Sequence, residues 1–378
     1  MNLKYKKGLI KIIFLFQKLL FYISKICTFW IPLKKNDYGL IIGRETANLL
    51  SAYSNLFQYF SINIDKNKFY KNNYSIDLSS YPKFIKHLIL PLIYPIILRK
   101  FSSILFFSSG SFFISNDGRE WEFCKAKESD TKIICIFVGS DIRSLKLTIE
   151  HNNSLGLDHW SNYINDDSTI EYSDEISKSL SNASNLYADI IFNSKKDQLS
   201  YIKNCFMPPM PVSRNRFFTN NKKWDDVSLI KILHSPSAPM NKGTQMVLSA
   251  IKKLEIDGFK FQFKLLSGVP QDQVLRELDA AHIALNEFYA YVPGIFGIEA
   301  LESNCLLLTS ASQNLEPDLF DGCDEAWVPT MYYEIYDNLR FCLENIHQSK
   351  RIANQGTKWA KKYCSHEATI EYFRSKTK

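Results

Sequence analysis

The alternation of apolar and polar positions predicts two successive sets of strands and helices. In the first half, short β-branched and aromatic runs bounded by Gly, Ser or Asp predict strands at residues 38–42, 103–107, 132–138 and 188–192. A helical pattern covers residues 45–60, between the first two strands. Strands that alternate with helices indicate a parallel sheet with crossover helices. Residues 151–180 are polar and aperiodic, and we expect an excursion from the first domain there.

The alternation stops around residues 205–220, where prolines and asparagines predict a linker. It restarts with predicted strands at residues 229–233, 260–266, 283–285 and 305–309 and predicted helices at 243–254, 271–280, 298–302, 332–347 and 352–363. The chain is therefore predicted to be an α/β protein. Its predicted parts are an N-terminal segment (1–35), an N-terminal domain (36–206), a linker (207–222) and a C-terminal domain with closing helices (223–378). The cleft between two such domains is the usual place for a ligand.

The N-terminal segment carries the basic surplus of the protein. The 378 residues have a formal net charge of +7, and residues 1–35 contain eight lysines and no acidic residue. At about 100° per residue, five lysines share one face of a helix whose other faces are apolar: Lys4, Lys7, Lys11, Lys18 and Lys25. This pattern is typical of a helix in the headgroup layer of an anionic membrane, and it predicts no nucleic-acid partner. The alternative is a buried first helix whose lysines form its solvated face.

A second apolar segment, residues 82–101, contains Pro91 and Pro95 and is too short and too broken to span a membrane. It is either a second element that dips into the membrane surface or a core segment of the first domain. The eight cysteines form no C-x-x-C pair, so we expect reduced thiols and no metal site. Together these features predict a cytoplasmic protein that is attached peripherally to the inner face of the cytoplasmic membrane.

The first candidate site lies in residues 231–244, KILHSPSAPMNKGT. A predicted strand runs into a proline-containing loop, and Lys242-Gly243-Thr244 then opens a helix. A helix N-terminus offers free N–H groups, Gly243 lets a phosphate approach the backbone, and Lys242 adds a full positive charge. The block predicts a diphosphate-binding site. The alternative is that these residues only begin and cap the helix.

The second candidate site lies in residues 286–302, NEFYAYVPGIFGIEALE. Gly294 and Gly297 come just before Glu299, which falls in the first turn of a predicted helix. A carboxylate in that place can accept hydrogen bonds from both hydroxyls of a ribose. The alternative is that Glu299 only complements the helix dipole. Because both blocks follow strands of one domain, together they indicate binding of a nucleoside diphosphate sugar.

Four segments of the second half carry a resemblance to a known family: residues 234–237 (HSPS), 242–244 (KGT), 281–283 (AHI) and 294–301 (GIFGIEAL). They resemble the nucleotide-sugar domain of glycosyltransferase family 4, of the bacterial surface-polysaccharide type, over residues 187–365. In the first half, residues 139–143 (GSDIR) are similar to an element of bacterial members. The resemblance implies the GT-B fold, with two facing Rossmann-like domains and an interdomain cleft. It also implies retaining transfer from a nucleoside diphosphate sugar, without a metal or other cofactor, to a glycan or lipid-linked acceptor.

The resemblance implies roles for individual residues. The predicted catalytic residues are Lys242, Glu299 and Asp141. Asp141 and Arg143 follow a strand and face the expected cleft, where they could handle acceptor or phosphate; the alternative is an Asp cap and a structural ion pair. The implied donor-binding residues are His234, Ser237, Lys242, Gly243, Thr244, Gly294, Ile295, Phe296, Gly297 and Glu299. The acceptor side is expected to include Gly43, Arg44 and Arg143. Lys242 would hold the diphosphate, Glu299 the ribose, and the 294–297 loop the donor sugar; for His234 the alternative is a satisfied core histidine.

The sequence departs from the family at two positions. Tyr291 stands where the family places a Glu eight residues before Glu299, and Val138 stands where a His often precedes the Gly-Ser-Asp element. Glu287 is a nearby candidate to replace the missing carboxylate. Two alternatives to a transferase therefore stay open. One is a catalytically silent protein of the same fold that binds nucleotide or partners in a polysaccharide assembly complex, and the other is an epimerase of that fold.

Overall fold

A computed structural model describes residues 3–31, 35, 38–67, 69–70, 72–114, 117–164, 166–217, 224–225 and 227–378, with side chains from residue 8 onward. Part of the predicted linker, residues 218–222, lies outside the described residues. So do residues 1–2 and 32–34 of the predicted N-terminal segment, and the side chains of Lys4 and Lys7.

The first half forms a six-stranded parallel sheet. Its strands are β1 (Leu40–Gly43), β2 (Phe60–Asn63), β3 (Ile76–Asp77), β4 (Ser103–Phe107), β5 (Lys132–Ile136) and β6 (Ile190–Phe192), in the order β3-β2-β1-β4-β5-β6. Its helices are α1 (Leu3–Thr28), α2 (Leu49–Phe57), α3 (Lys83–Lys100), α4 (Glu120–Glu128), α5 (Leu145–Ser154) and α6 (Asp167–Tyr187). Helices cover both faces of such a sheet, which is why β4 is apolar and buried along almost its whole length.

The second half forms a five-stranded parallel sheet. Its strands are β7 (Ile230–His234), β8 (Phe261–Leu265), β9 (Ile283–Leu285), β10 (Leu306–Thr309) and β11 (Val328–Pro329), in the order β11-β10-β9-β7-β8. Its helices are α7 (Thr244–Ile256), α8 (Gln271–Ala280), α9 (Gly294–Glu302), α10 (Cys323–Ala326), α11 (Ile335–Glu344), α12 (Ile346–Cys364) and α13 (His366–Thr377). The strand order reverses between β7 and β9. Open α/β sheets bind ligands at such a switch point, beyond the carboxyl ends of the strands.

The prediction of an aperiodic excursion over residues 151–180 is wrong for most of that range. Helix α5 continues to Ser154, a short 3-10 turn covers Trp160–Tyr163, and α6 begins at Asp167. The buried face of α6 is made largely of small and polar side chains: Asp174, Ser177, Ser181, Ala183 and Ser184. These residues recur at helical spacing but are not apolar, so hydrophobic periodicity does not reveal the helix.

Residues 82–101 belong to the core of the first domain rather than to a membrane surface. They form α3, whose Leu90, Tyr94 and Leu98 are buried in the core cluster. Helix α1 packs against α3 through Phe21, which is fully buried. Among the described residues, no helix is long and apolar enough to cross a membrane.

Two stretches of chain connect the domains, and they lie side by side. On the first, Met207, Met210 and Val212 are buried in the core of the second domain. On the second, α13 leaves that domain and inserts Phe373 into the core of the first, where its ring stacks on Phe57 at 3.7 Å between centroids. The N–H of Val212 donates to the carbonyl of Cys364 (2.8 Å), which holds the two stretches together. Helix α13 lies in the range predicted for the C-terminal domain (223–378), but its Phe373 is part of the core of the first domain.

Candidate functional site

A cavity of about 160 Å³ opens at the switch point of the second sheet. Its floor is formed by residues that follow β7 and β9, and its far wall by the first domain. The described lining residues are Ala47, Phe69, Tyr70, Ser235, Pro236, Ser237, Lys242, Gly268, Val269, Gln271, Val274, Asn286, Glu287, Ile295, Phe296 and Glu299. The two sequence blocks that predict a diphosphate site and a ribose site therefore meet in one cavity.

Lys242 lies at the positive end of α7. The helix begins at Thr244, and Gly243 precedes it with a φ of +70°, a conformation that favours glycine. A Cβ at Gly243 would also come within 3.2 Å of the Cβ of Phe288. The ammonium group of Lys242 lies 2.5 Å from Oε1 of Glu287, and the two side chains are 20% and 14% exposed, so the ion pair borders the cavity.

His234 and Thr244 hold the start of α7 against the second sheet. The ring of His234 is fully buried and bonded at both nitrogens: Nδ1 to the carbonyl of Leu285 (2.8 Å) and Nε2 to the hydroxyl of Thr244 (2.9 Å). Burial lowers the pKa of His234 to about 4, so the ring is neutral at neutral pH. In this structure His234 therefore ties β7, β9 and α7 together, which matches the alternative of a satisfied core histidine.

Glu299 forms the opposite wall of the cavity. The prediction that it falls in the first turn of its helix is wrong, because α9 begins at Gly294 and Glu299 lies in the second turn. Its side chain is 3% exposed and accepts hydrogen bonds from Oγ of Ser213 and Nε2 of Gln271, both at 2.5 Å. Burial raises the pKa of Glu299 to about 7, against the opposing effect of these two donors. The carboxyl group is thus near the midpoint of its ionisation at neutral pH.

The 294–297 loop brings backbone and apolar side chains to the cavity. Gly294 has a φ of +57°, and a Cβ there would lie 2.6 Å from Oε1 of Glu287. A Cβ at Gly297 would lie 2.8 Å from Nδ2 of Asn286, which itself donates to the carbonyl of Pro293 at 2.5 Å. Both glycines therefore make room for the side chains that follow β9. Gly294 lines the cleft, Phe296 lines the cavity, Ile295 lines both, and Gly297 leaves room for Asn286.

A larger cavity of about 320 Å³ continues from the first one into the cleft between the domains. The two share Ala47, Ser237, Lys242, Glu287 and Ile295. From the first domain the larger cavity receives Val138, Gly139, Ser140 and Arg143. Part of its wall is apolar or aromatic, with Tyr53, Trp160, Met207, Met210 and Tyr289. The Lys242–Glu287 pair lies where the two cavities join.

The predicted acceptor-side residues are divided by the structure. Arg143 lines the larger cavity, where its guanidinium is held by the side chain of Asp197 at 3.1 Å. Gly43 and Arg44, and with them Asp141, which is predicted to be catalytic, lie at the carboxyl edge of the first sheet and are not among the described residues that line either cavity. Arg44 approaches Asp141 at 3.7 Å, and burial raises the pKa of Asp141 above its ordinary value.

Tyr291, at the position of the family glutamate, joins the two domains. Its phenol donates to Oδ1 of Asn152 on α5 (2.6 Å), and its N–H donates to Oδ1 of Asp197 (2.8 Å). Glu316 strengthens the same contact, since it accepts from the N–H groups of Lys196 and Asp197 at 2.8 and 2.9 Å. The side chain of Tyr291 is therefore directed to the first domain.

Sequence reasoning missed several residues of the site. Gln271 follows the Gly268-Val269-Pro270 turn after β8, so a search of strand ends in the second domain would have found it. Phe69 and Tyr70 come from a loop between two short strands of the other domain, and no local pattern marks them. Among the described residues, no three His, Cys, Asp or Glu side chains are grouped in a way that could hold a metal ion.

No protein family and no curated protein matches this sequence. Solved structures do match it. A sucrose-phosphate synthase from Thermosynechococcus elongatus shares 9% identity over 91% of this chain and 96% of its own, with a TM-score of 0.56. An α-glucosyltransferase in complex with UDP and a 13-mer DNA shares 11% over 90% of this chain and 100% of its own, with a TM-score of 0.55. A trehalose-6-phosphate synthase shares 8% over 90% and 98%, with a TM-score of 0.52.

Identities this low carry information on the fold alone. The neighbours are GT-B proteins, and this chain has the same two parallel α/β sheets with a cleft between them. The prediction of a GT-B fold is therefore confirmed, whereas membership of glycosyltransferase family 4 stays a prediction. The protein has the GT-B fold.

Proposed function

We propose that the protein is a glycosyltransferase that takes its sugar from a nucleoside diphosphate sugar. One observation supports this most strongly: Lys242, just before α7, and the buried Glu299, in the second turn of α9, line a single cavity at the switch point of the second sheet. A cation beside a helix N-terminus suits a diphosphate, and a carboxyl group across the cavity suits a ribose. The second cavity then offers room for the sugar and the acceptor.

The proposed reaction needs little from the protein beyond charge and position. The bond between C1 of the sugar and the β-phosphate oxygen breaks, and its electron pair stays on that oxygen. The acceptor hydroxyl oxygen bonds to C1 and passes its proton to the departing phosphate, with retention at C1 and without a metal. Lys242 and the N–H groups of α7 stabilise the charge that develops on the diphosphate, which is the kind of preorganised electrostatics that lowers such barriers.

The larger cavity is the proposed acceptor site. It holds about 320 Å³ and combines Arg143 with apolar and aromatic walls that include Trp160 and Tyr289. Aromatic faces suit the apolar faces of sugar rings, and a guanidinium suits a phosphate. We therefore propose a glycan or lipid-linked acceptor of surface polysaccharide synthesis. The catalytic role of Asp141 and the acceptor-side role of Arg44 stay predictions, because neither is among the described residues that line the two cavities.

Helix α1 supports the proposal that the protein binds a membrane surface. It turns its polar Gln17 and Ser24 inward, where they bond to the carbonyls of His87 (3.0 Å) and Leu92 (2.5 Å). Its outward face is apolar and exposed, with Leu9, Ile12, Leu15, Phe16, Leu19, Tyr22, Ile23 and Ile26, followed by Phe29, Trp30 and Ile31. A contiguous exposed apolar face of this kind marks an interaction site. The exposed Lys11 and Lys25 on the same helix favour an anionic lipid surface.

Nucleotide binding is the first test. The change in melting temperature would be measured with UDP, GDP, ADP and dTDP, and with their sugar esters, since a ligand of the folded state stabilises by mass action. Lys242→Ala and Glu299→Ala should abolish the shift, and donor turnover should fall at least about tenfold in both. Lys264→Ala is the matched control, because Lys264 forms an ion pair of the same 2.5 Å with Glu277.

Three results would count against the proposal. The first is a wild-type protein that responds to none of these nucleotides, and the second is full binding by Lys242→Ala. The third is nucleotide binding without turnover of any donor, which would support the silent binding protein instead. An inverted sugar stereocentre in the released donor would support the epimerase.

Vesicle flotation tests the membrane surface. The protein should float with vesicles that contain phosphatidylglycerol and less with pure phosphatidylcholine. The double variant Ile12→Glu, Ile26→Glu should not float, whereas Ile256→Glu, at a 74% exposed position of the second domain, should float like the wild type. If the double variant floats normally, α1 is only a packing helix. If a 13-mer DNA duplex displaces the vesicles, the predicted absence of a nucleic-acid partner is wrong.

A further inference from the structure

The point where the two cavities join is marked by a single carboxylate. Among the described residues that line both cavities, Glu287 is the acidic one. It follows β9 directly beyond Asn286, at the switch point of the sheet. Its carboxylate lies 2.5 Å from the ammonium of Lys242, the group proposed to hold the diphosphate.

The backbone carbonyl of Glu287 is held by three hydrogen bonds. Its carbonyl accepts hydrogen bonds from Oγ1 of Thr309 (3.1 Å) and from both N–H (3.0 Å) and Oγ (3.2 Å) of Ser310. Gly294 leaves the space that the carboxylate occupies, because a Cβ there would lie 2.6 Å from Oε1. Three donors thus fix the backbone of Glu287, and Gly294 leaves room for its side chain at the junction.

The position that the family fills with a glutamate, occupied here by Tyr291, brings no carboxylate to the junction of the two cavities. The side chain of Tyr291 is buried against the first domain, where its phenol donates to Asn152 at 2.6 Å. Glu287 lies on the same segment and faces the cavities. The carboxylate is therefore supplied from the end of β9 instead of from the turn before α9.

We infer that Glu287 binds the transferring sugar of the donor, and that Lys242 holds it in place until the diphosphate arrives. The inference rests on the proposed function. A diphosphate carries more charge than one carboxylate, so it takes over Lys242, and Glu287 is released beside the group that follows the β-phosphate. There its two oxygens accept hydrogen bonds from sugar hydroxyls, and its negative charge stabilises the positive charge that develops at C1 as the bond to the β-phosphate breaks.

This exchange gives opposite effects on binding and on turnover when the charge is removed. In Glu287→Gln, Lys242 has no ion pair to give up, and the diphosphate meets one negative charge less. A nucleoside diphosphate without a sugar should therefore bind about tenfold more tightly than it binds the wild type. Turnover of the sugar donor should fall at least about tenfold, because the carboxylate that stabilises the sugar is gone.

The experiment compares wild type, Glu287→Gln and Glu277→Gln. Glu277 forms a 2.5 Å ion pair with Lys264 in the same domain and outside both cavities, so its variant is the matched control. Calorimetric titration would use whichever of UDP, GDP, ADP and dTDP shifts the wild-type melting temperature most. Turnover would be followed as nucleoside diphosphate released from the corresponding glucose, N-acetylglucosamine, mannose or rhamnose ester.

Tighter diphosphate binding together with slower turnover, in Glu287→Gln alone, supports the inference. Unchanged turnover overturns it, and so does slower turnover with unchanged or weaker diphosphate binding, since Glu287 would then only position Lys242. Failure of the proposed function looks different: the wild type itself would bind none of the diphosphates or turn over none of the donors.

Discussion

Replacing Glu299 by Gln should make the protein more stable and a poorer binder of nucleotide. The carboxyl group is buried, and its pKa is raised from 4.5 to about 7 in the folded chain. The folded protein therefore holds this proton more tightly than the unfolded chain does. Folding stability is complete below the unfolded pKa and is lost as the pH rises through the folded one.

The size of the effect follows from the two pKa values. At about 1.4 kcal/mol for each tenfold change in an equilibrium, ionised Glu299 costs the fold about 3 kcal/mol at pH ~8 and below about 1 kcal/mol at pH ~5. Gln has nearly the same shape and no charge. Its amide oxygen can still accept the hydrogen bonds from Ser213 and Gln271. The free energy of unfolding of Glu299→Gln should therefore exceed that of the wild type by most of ~3 kcal/mol at pH ~8 and by little at pH ~5.

Urea unfolding followed by tryptophan fluorescence measures the gain, with wild type and variant compared at both pH values. Glu344→Gln serves as the control, because Glu344 lies on the surface of α11 in an exposed pair with Arg340. The reasoning is refuted if Glu299→Gln has the same effect on stability at both pH values. Nucleoside diphosphate should bind about tenfold more weakly to the variant, since an amide oxygen is a poorer acceptor for ribose hydroxyls than a carboxylate.

Three further substitutions test the structure around the cleft. Gly294→Ala should lower the free energy of unfolding by about 1–3 kcal/mol and weaken nucleotide binding in a titration, because the position has a positive φ and its Cβ would meet Glu287; normal binding would contradict this. Phe373→Ala should cost about 3–5 kcal/mol in urea unfolding, because it empties the stack on Phe57; a change within error would mean that α13 is dispensable. Tyr291→Phe should cost about 1 kcal/mol through the lost phenol hydrogen bond while donor turnover persists; abolished turnover would assign the phenol a part in the reaction.

Much of the fold was predictable because its strands are buried on both faces. The strands at residues 103–107 and 283–285 and the helix at 271–280 coincide with β4, β9 and α8. Helix α6 was not predictable, because its buried face is made largely of serine and alanine. Strand β3, with two residues, is too short to leave a pattern of its own. Local periodicity therefore finds elements that bury large apolar side chains and misses those that bury small ones.

The candidate site was predictable only where it is local in sequence. Lys242 lies between β7 and α7, and Glu299 lies in the helix that follows β9, so the chain itself marks them. Tyr70 reaches the same cavity from the other domain. Ser213, which donates to Glu299, comes from the connection between the domains. Such contacts depend on how two domains face each other, and no spacing within one segment encodes that.

The paired connections at Val212 and Cys364 constrain how the domains can move. A single covalent connection would let two bodies swivel about three axes. Here two connections run side by side, joined by a 2.8 Å hydrogen bond between Val212 and Cys364 and by a 3.1 Å contact between His366 and the carbonyl of Val212. Two adjacent attachment points define an axis. One domain is therefore expected to move against the other mainly by a hinge rotation about that axis. The proposed donor and acceptor sites, on opposite walls of the cleft, would then approach each other by rotation about this one axis.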